Sequence, residues 1–281
     1  MPKIKKILKK INPTTLKPIK SSYALENAFY KKLKKLTDKI NRSVLYWSSA
    51  TFNNNINKNL SKQLVFNFND LLTEWDKRLK PLCETLASRN IKEIEKYANT
   101  QFKSQNISFN FKRRNKNINN QLLAGYERQL GLIKSLPNEI INNYKNFFLN
   151  NVGNLDREAL YKQFRIIGGI SNRRAKLIAR DQTQKAVNAY TQARAEALGF
   201  NYYQWSTAGD SRVSREHKHL NGRIYKYGEP TAIIDSYGNI GKPGDRVNCR
   251  CLALSIIIQP GQEVKKVSDS VWGDYYILIE K

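Results

Sequence analysis

The residues able to do chemistry in this chain crowd into one window. Residues 205–251 hold both histidines, His217 and His219, and two of the three cysteines, Cys249 and Cys251. The window opens WSTAGDSRVSREHKHLNG, crosses a Gly/Pro-rich stretch and closes on VNCRC. Three chemistries are open to it. Thiolate and imidazole have the softness that zinc selects, so His217, Cys249 and Cys251 form an alternative zinc set, with Asp210 or His219 as the fourth ligand. Asp210 and His217 also suit an orienter and base beside Cys249 as nucleophile. The third reading is a structural knot, with the cysteines packed as small hydrophobes and His217 hydrogen-bonded to Asp210 or a loop carbonyl. Cys-x-Cys is a tighter chelate than the usual Cys-x-x-Cys and one ligand is unassigned. The knot is therefore the reading adopted, with no catalytic residue, no cofactor and no metal.

Positioning these groups falls to short elements. Asp210 follows Gly209 and suits the N-cap of a helix through SRVSREHKHL. On such a helix Asp210, Ser214 and His217 share a face, while His219 points away with Arg212 and Arg215. Around it, Tyr202, Tyr203 and Trp205, then Ile224, Tyr225 and Tyr227, then Leu252 to Ile258, and last Tyr275 to Ile279 read as short strands between Gly, Pro and Asp.

Before Gly199 the texture is helical. Apolar residues recur at three and four from Leu64 through Phe68, Leu71, Leu72, Trp75 and Leu79, with Pro81 as punctuation. Residues 104–120 alternate briefly at Ile107, Phe109 and Phe111 and read as a loop or edge hairpin at an internal boundary. Further helices are expected over 121–135, from Pro137, from Asp156 to Gly168-Gly169, and from Ser171 to Gly199. The last carries a stripe of Ala175, Ala179, Ala186, Ala193 and Ala197 that lets another helix approach closely. The fold class is α+β: a mostly helical N-terminal body followed by a small β-containing C-terminal domain. The divisions suggested are a basic arm (1–20), a helical region (21–115), a second helical part (116–199) and the α+β domain (200–281).

Composition narrows the partners. The 281 residues carry 49 basic and 23 acidic side chains, a formal charge of +26. Such a surface attracts polyanions, with nucleic acid the first candidate for sequence-independent contact. Lys3, Lys5, Lys6, Lys9, Lys10, Lys31, Lys32, Lys34, Lys35, Arg113 and Arg114 are the candidate contacts. Ile4, Ile7, Leu8 and Ile11 recur between lysines as in a short basic amphipathic helix, and residues 1–20 are expected to be dispensable for folding. The longest apolar run, around Ile256–Ile258, is too short to span a bilayer. Three cysteines with this spacing make no disulfide framework, which implies synthesis in a reducing cytoplasm.

The order of motifs carries a resemblance. Ala179-Arg180-Asp181-Gln182-Thr183, Gly199, Trp205, Asp210-x-Arg212, His217, Leu220-x-Gly222 and Asn248-Cys249-Arg250-Cys251 together resemble phage minor head proteins of the Mu F-like family. Where many members carry His or Pro just before the last motif, this chain has Arg246 and Val247. The resemblance implies a virion protein of the capsid interior near the portal vertex, made in the host cytoplasm and acting in head assembly, genome packaging or ejection. Its implied partners are the portal protein and packaged double-stranded DNA, with scaffold or major capsid protein as further candidates. It implies no enzymatic activity. Two rivals stand beside it: a nuclease or toxin-like enzyme using Asp210, Arg212 and His217, and a cytoplasmic nucleic-acid-binding protein without a capsid role.

Overall fold

The computed structural model describes residues 10–54, 60–105, 115–151, 157–229 and 232–281, with side chains at 47, 49–54, 60–69, 71–72 and 75–76 excepted. The expected features at Lys3 to Lys9, Ile107 to Arg114 and Asp156 lie outside the described residues, as do the side chains of Leu64, Phe68, Leu71, Leu72 and Trp75. The architecture is α+β, with helices first and an antiparallel sheet last.

Four long helices account for the N-terminal part: α1 (Tyr23–Asn54), α2 (Leu60–Lys103), α3 (Lys116–Asn150) and α4 (Arg157–Ala197). Ser22 accepts from Leu25 N–H at the start of α1, and Asn115 accepts from Ile118 N–H at the start of α3. Breaks expected at Pro81, Pro137 and Gly168-Gly169 do not occur, because α2, α3 and α4 run through them. Proline inside a helix costs about 3 kcal/mol. Leu79, Cys83 and Leu86 flank Pro81, and Ile133, Leu136, Ile140 and Ile141 flank Pro137, all buried in one core. At about 1.5–3 kcal/mol for each buried aliphatic side chain, that burial outweighs the break. Ser171 is likewise no cap: it is buried inside α4 and its hydroxyl donates to Ile167 O at 2.7 Å.

The chain forms two compact units that interleave in sequence, rather than the consecutive segments 21–115, 116–199 and 200–281. One comprises Ser22–Glu93 and Leu123–Thr183 and is all helix. Its core is built on Phe29, Leu33, Leu36 and Ile40 of α1, with Tyr144, Phe148, Phe164 and the small Ala175 and Ala179.

The other comprises Met1–Ser21, Ile94–Leu122 and Gln184–Lys281. Here Ala193 packs with Ala98, Ile118 and Tyr190, the close helix approach that the alanine stripe implied. Gly199, at φ +88°, ends α4: Gly199 N–H donates to Glu196 O and Phe200 N–H to Ala195 O, the paired bonds of a left-handed C-terminal cap. The main sheet then contains β1 (Thr14–Thr15), β2 (Tyr202–Ser206), β3 (Ile224–Lys226), β6 (Leu252–Ile257), β7 (Gln262–Val267) and β8 (Tyr275–Glu280), in the order β1-β6-β2-β3-β8-β7. A separate pair joins β4 (Ala232–Ile233) to β5 (Ile240–Gly241). Alternation loads both faces of the main sheet. Tyr203, Trp205 and Tyr225 go to one side with Leu220 and Cys251, and Ile224, Ile256 and Leu278 go to the other with Ile11.

The N-terminal segment is not the detachable arm the sequence suggests. Thr14 and Thr15 pair with Ile257 and Ile256, Ile11 N–H donates to Leu278 O at 3.0 Å, and Leu16 N–H donates to Ser255 O at 2.9 Å. Deleting residues 1–20 should therefore lower stability by roughly 2–5 kcal/mol, from lost backbone hydrogen bonds and the uncovered Ile11 site. A thermal melt by circular dichroism checks this, and an unchanged midpoint would refute it.

Candidate functional site

The site begins with a left-handed residue. Asn248 has φ +60°, a region that asparagine tolerates better than most side chains. Beyond it, successive residues point to alternate sides. Cys249 and Cys251 face His217, with Sγ–Nδ1 distances of 3.5 and 3.4 Å. Arg250 faces the other way and grips Asp210 with both terminal nitrogens, at 2.8 and 2.6 Å. Cys251 N–H also donates to Cys249 Sγ at 3.4 Å, closing the turn on itself.

His217 sits on α5 (Arg215–Leu220), whose N-cap is Ser214, accepting from His217 N–H. Asp210 is thus not the cap expected of it. Residues 210–213 form a turn instead, and the Asp210 carboxylate is held by Arg250 and by Arg212, the latter at 3.0 and 3.3 Å. Neither does it orient His217, whose Nδ1 faces the two sulfurs. Trp205 of β2, fully buried, sets its ring edge-on to the imidazole at 5.4 Å. Leu220 is buried in the same core, and Gly222, at φ +81°, returns its N–H to Trp205 O at 2.8 Å. His219 stands apart, stacked on Trp272 at 4.6 Å.

Electrostatics follow the contacts. Hydrogen bonds from Cys251 and His217 pull the Cys249 thiol down to about 4, while burial opposes them. Cys251 moves the opposite way, raised first by its bond to Cys249 and then by burial. The Arg250 guanidinium, aided by Arg212, holds Asp210 well below the usual carboxylate range. A cleft of about 240 Å³ opens onto the group, lined by His217, Cys249 and Cys251 and rimmed by Arg212, Arg246 and Arg250. Arg246, just before the Asn-Cys-Arg-Cys motif, pairs with Glu216 at 3.4 Å.

One supporting residue escaped the sequence reading. Asn188 of α4 is buried; its amide donates to Cys251 O at 3.2 Å and Pro243 O at 3.3 Å, and its carbonyl accepts from Gln184 at 2.7 Å. Gly244, at φ +96°, fits against it where a Cβ would come within 2.2 Å of the Asn188 amide nitrogen. A single polar residue inside an amphipathic helix gives no signal of its own.

Residues 153–254 match the family described as phage Mu protein F like protein. The chain carries a Mu F-like domain. Every residue from Trp205 to Cys251 in the site falls inside the match. A Haemophilus influenzae protein named only as an uncharacterized protein is 34% identical over 148 residues, 52% of this chain and 31% of that one. The matched stretch thus spans about a third of the curated relative. No solved structure matches the chain. The Mu F-like match points to a phage head-related protein.

Two measurements probe the domain's closure. Asn188→Ala strands the carbonyls of Pro243 and Cys251 in a buried place and should cost about 1–3 kcal/mol in urea unfolding; a change below 0.5 kcal/mol (roughly the scatter for surface substitutions) would contradict the assignment. Asp210 is a carboxylate whose folded value is depressed. Its stabilisation is complete above the unfolded value of about 3.9 and is lost as pH falls toward the folded one. Asp210→Asn should therefore melt below wild type at neutral pH, with the gap narrowing from about pH 4 downward. A gap that widens in acid would refute the pairing.

Proposed function

We propose that this chain is a phage minor head protein that resides in the capsid interior near the portal vertex, made in the host cytoplasm. There it contacts portal protein and packaged double-stranded DNA during head morphogenesis and genome packaging or ejection. The observation that carries the reading is the coincidence of the Mu F-like match with the site cluster: Trp205, Asp210, His217, Cys249, Arg250 and Cys251 all lie within residues 153–254.

The charge distribution supports the DNA contact. On α1, Phe29, Leu33, Leu36 and Ile40 are buried, while Lys31 and Lys35 are exposed and Lys32 and Lys34 half-buried. Lys34 is partly neutralised by Asp38 at 2.5 Å, and Lys10 is exposed where it bridges Ile279 of β8. Among the described residues no helix is long and apolar enough to cross a membrane, so these cations are not read as anchors beside a span. No catalytic role is assigned. The nuclease reading asks Asp210 to act with His217, yet Asp210 is gripped by Arg250 and His217 turns to the cysteines.

Co-expressed with the portal protein of its own phage, the chain should copurify with it and appear among the proteins of purified particles. Absence from both would remove the head-protein reading and leave a cytoplasmic binding protein. Binding to two unrelated duplexes should be equal and should weaken steeply with salt, about 0.9 counterion being released for each phosphate neutralised. A flat salt response would refute the DNA contact. Plasmid nicking that disappears in His217→Ala would favour the enzyme instead.

A further inference from the structure

We propose that His217, Cys249 and Cys251 form a binding site for a thiophilic divalent cation, zinc in the cell. The inference rests on the geometry of the cluster and stands independently of the head-protein reading.

Three ligand atoms from two elements over thirty residues apart in sequence lie within 4.8 Å of one another. With Zn–S near 2.3 Å and Zn–N near 2.0–2.1 Å, a tetrahedral centre has S···N edges of roughly 3.5 Å and S···S edges of roughly 3.8 Å. The two Sγ–Nδ1 distances, 3.5 and 3.4 Å, are such edges. Hydrogen bonding alone explains them less well. Nδ1 offers one lone pair or one proton in the ring plane, so it serves one sulfur properly, and here two stand at equal distance. A cation between the three serves all of them at once.

Charge and burial agree. His217 and Cys251 are over nine-tenths buried and Cys249 is half-buried at the cleft. Two thiolates and a neutral imidazole around a doubly charged ion sum to zero, which such a pocket tolerates better than a lone thiolate. The other candidate ligands are engaged elsewhere. Asp210 is taken by Arg250 and Arg212, and His219 by Trp272. The open side of the group faces the cleft, which would leave a fourth position to solvent. The Cys-x-Cys spacing, which argues against a zinc loop of the usual kind, is satisfied here because residues 249–251 alternate sides, so both sulfurs face the same imidazole.

The test uses the full chain, stripped with chelator and titrated with cobalt(II) and then zinc. About one cobalt per chain should bind, with a thiolate-to-cobalt charge-transfer band and the intense visible bands of tetrahedral cobalt, and zinc should bleach both. Protons should be released on binding, because thiols give way to metal. Cys251→Ser and His217→Ala should weaken binding at least about a hundredfold, whereas His219→Ala should bind as wild type does. A wild-type chain that is folded by circular dichroism yet shows no thiolate charge transfer would overturn the proposal. So would His219→Ala losing the band as fully as His217→Ala. If the ligand variants do not fold, the wild-type spectrum and metal protection of Cys249 from alkylation decide it alone.

Discussion

Everything around the site depends on a constraint two residues long. An extended backbone sends side chains to opposite sides at each step, so three residues following a left-handed Asn248 deliver two sulfurs to His217 and a guanidinium to Asp210. That single turn fastens the loop to α5 on one side and to the 210–213 turn on the other. Shifting the register by one residue would point Arg250 at the imidazole and both thiols at a carboxylate. The motif is therefore read as a geometric unit, in which asparagine supplies the turn, the cysteines one face and arginine the other.

The rest of the unit works to hold that turn still. Asn188 ties α4 to the carbonyls of Pro243 and Cys251, and Gly244 leaves it room. Trp205 fills the space behind His217 and is itself paired through β2 with Ala253, two residues beyond Cys251. On the far side of α5, His219 stacks on Trp272, whose loop is organised by Asp269 accepting from Val271 and Trp272 N–H and from Arg223. The two histidines are thus divided by the helix between separate tasks, one at the sulfurs and one at the β7–β8 loop.

Much of this was legible where a residue type has few uses. The aromatic strands at 202–206 and 224–226 and the apolar run at 252–257 announce themselves by β propensity, and Gly199 by the cap it makes. The gathering of His217, Cys249 and Cys251 followed from their rarity, and the exclusion of His219 from the two-residue spacing on a helix. What failed did so for a common reason: local signals were outweighed by tertiary ones. Pro81, Pro137 and the Gly168-Gly169 pair read as breaks, yet the burial on either side carries the helices across them. Asp210 looked like a cap because its strongest partner, Arg250, is forty positions away. β1 has two polar residues and no pattern of its own; it exists because β6 offers an edge. Asn188 was invisible because its partners are backbone carbonyls.

The basic surface and the buried cluster obey different physics, and that separation bears on function. Lysines on α1 are placed by default, since the opposite stripe of Phe29, Leu33, Leu36 and Ile40 must be buried; their attraction for phosphate acts at a distance and is screened by salt. The cluster acts at contact distance, backed by Trp205 and the sheet and open to the cleft on its other side. A change of ionic strength should then alter what α1 attracts more than it loosens the turn at Asn248, where salt screens the half-exposed Arg250–Asp210 pair but not the contacts of the cysteines with His217. Conversely, a thiol reagent or chelator should act on the turn without altering the charge that α1 presents. In the role proposed above, beside packaged DNA, this division would let adhesion respond to counterions while the sulfur–imidazole contacts hold.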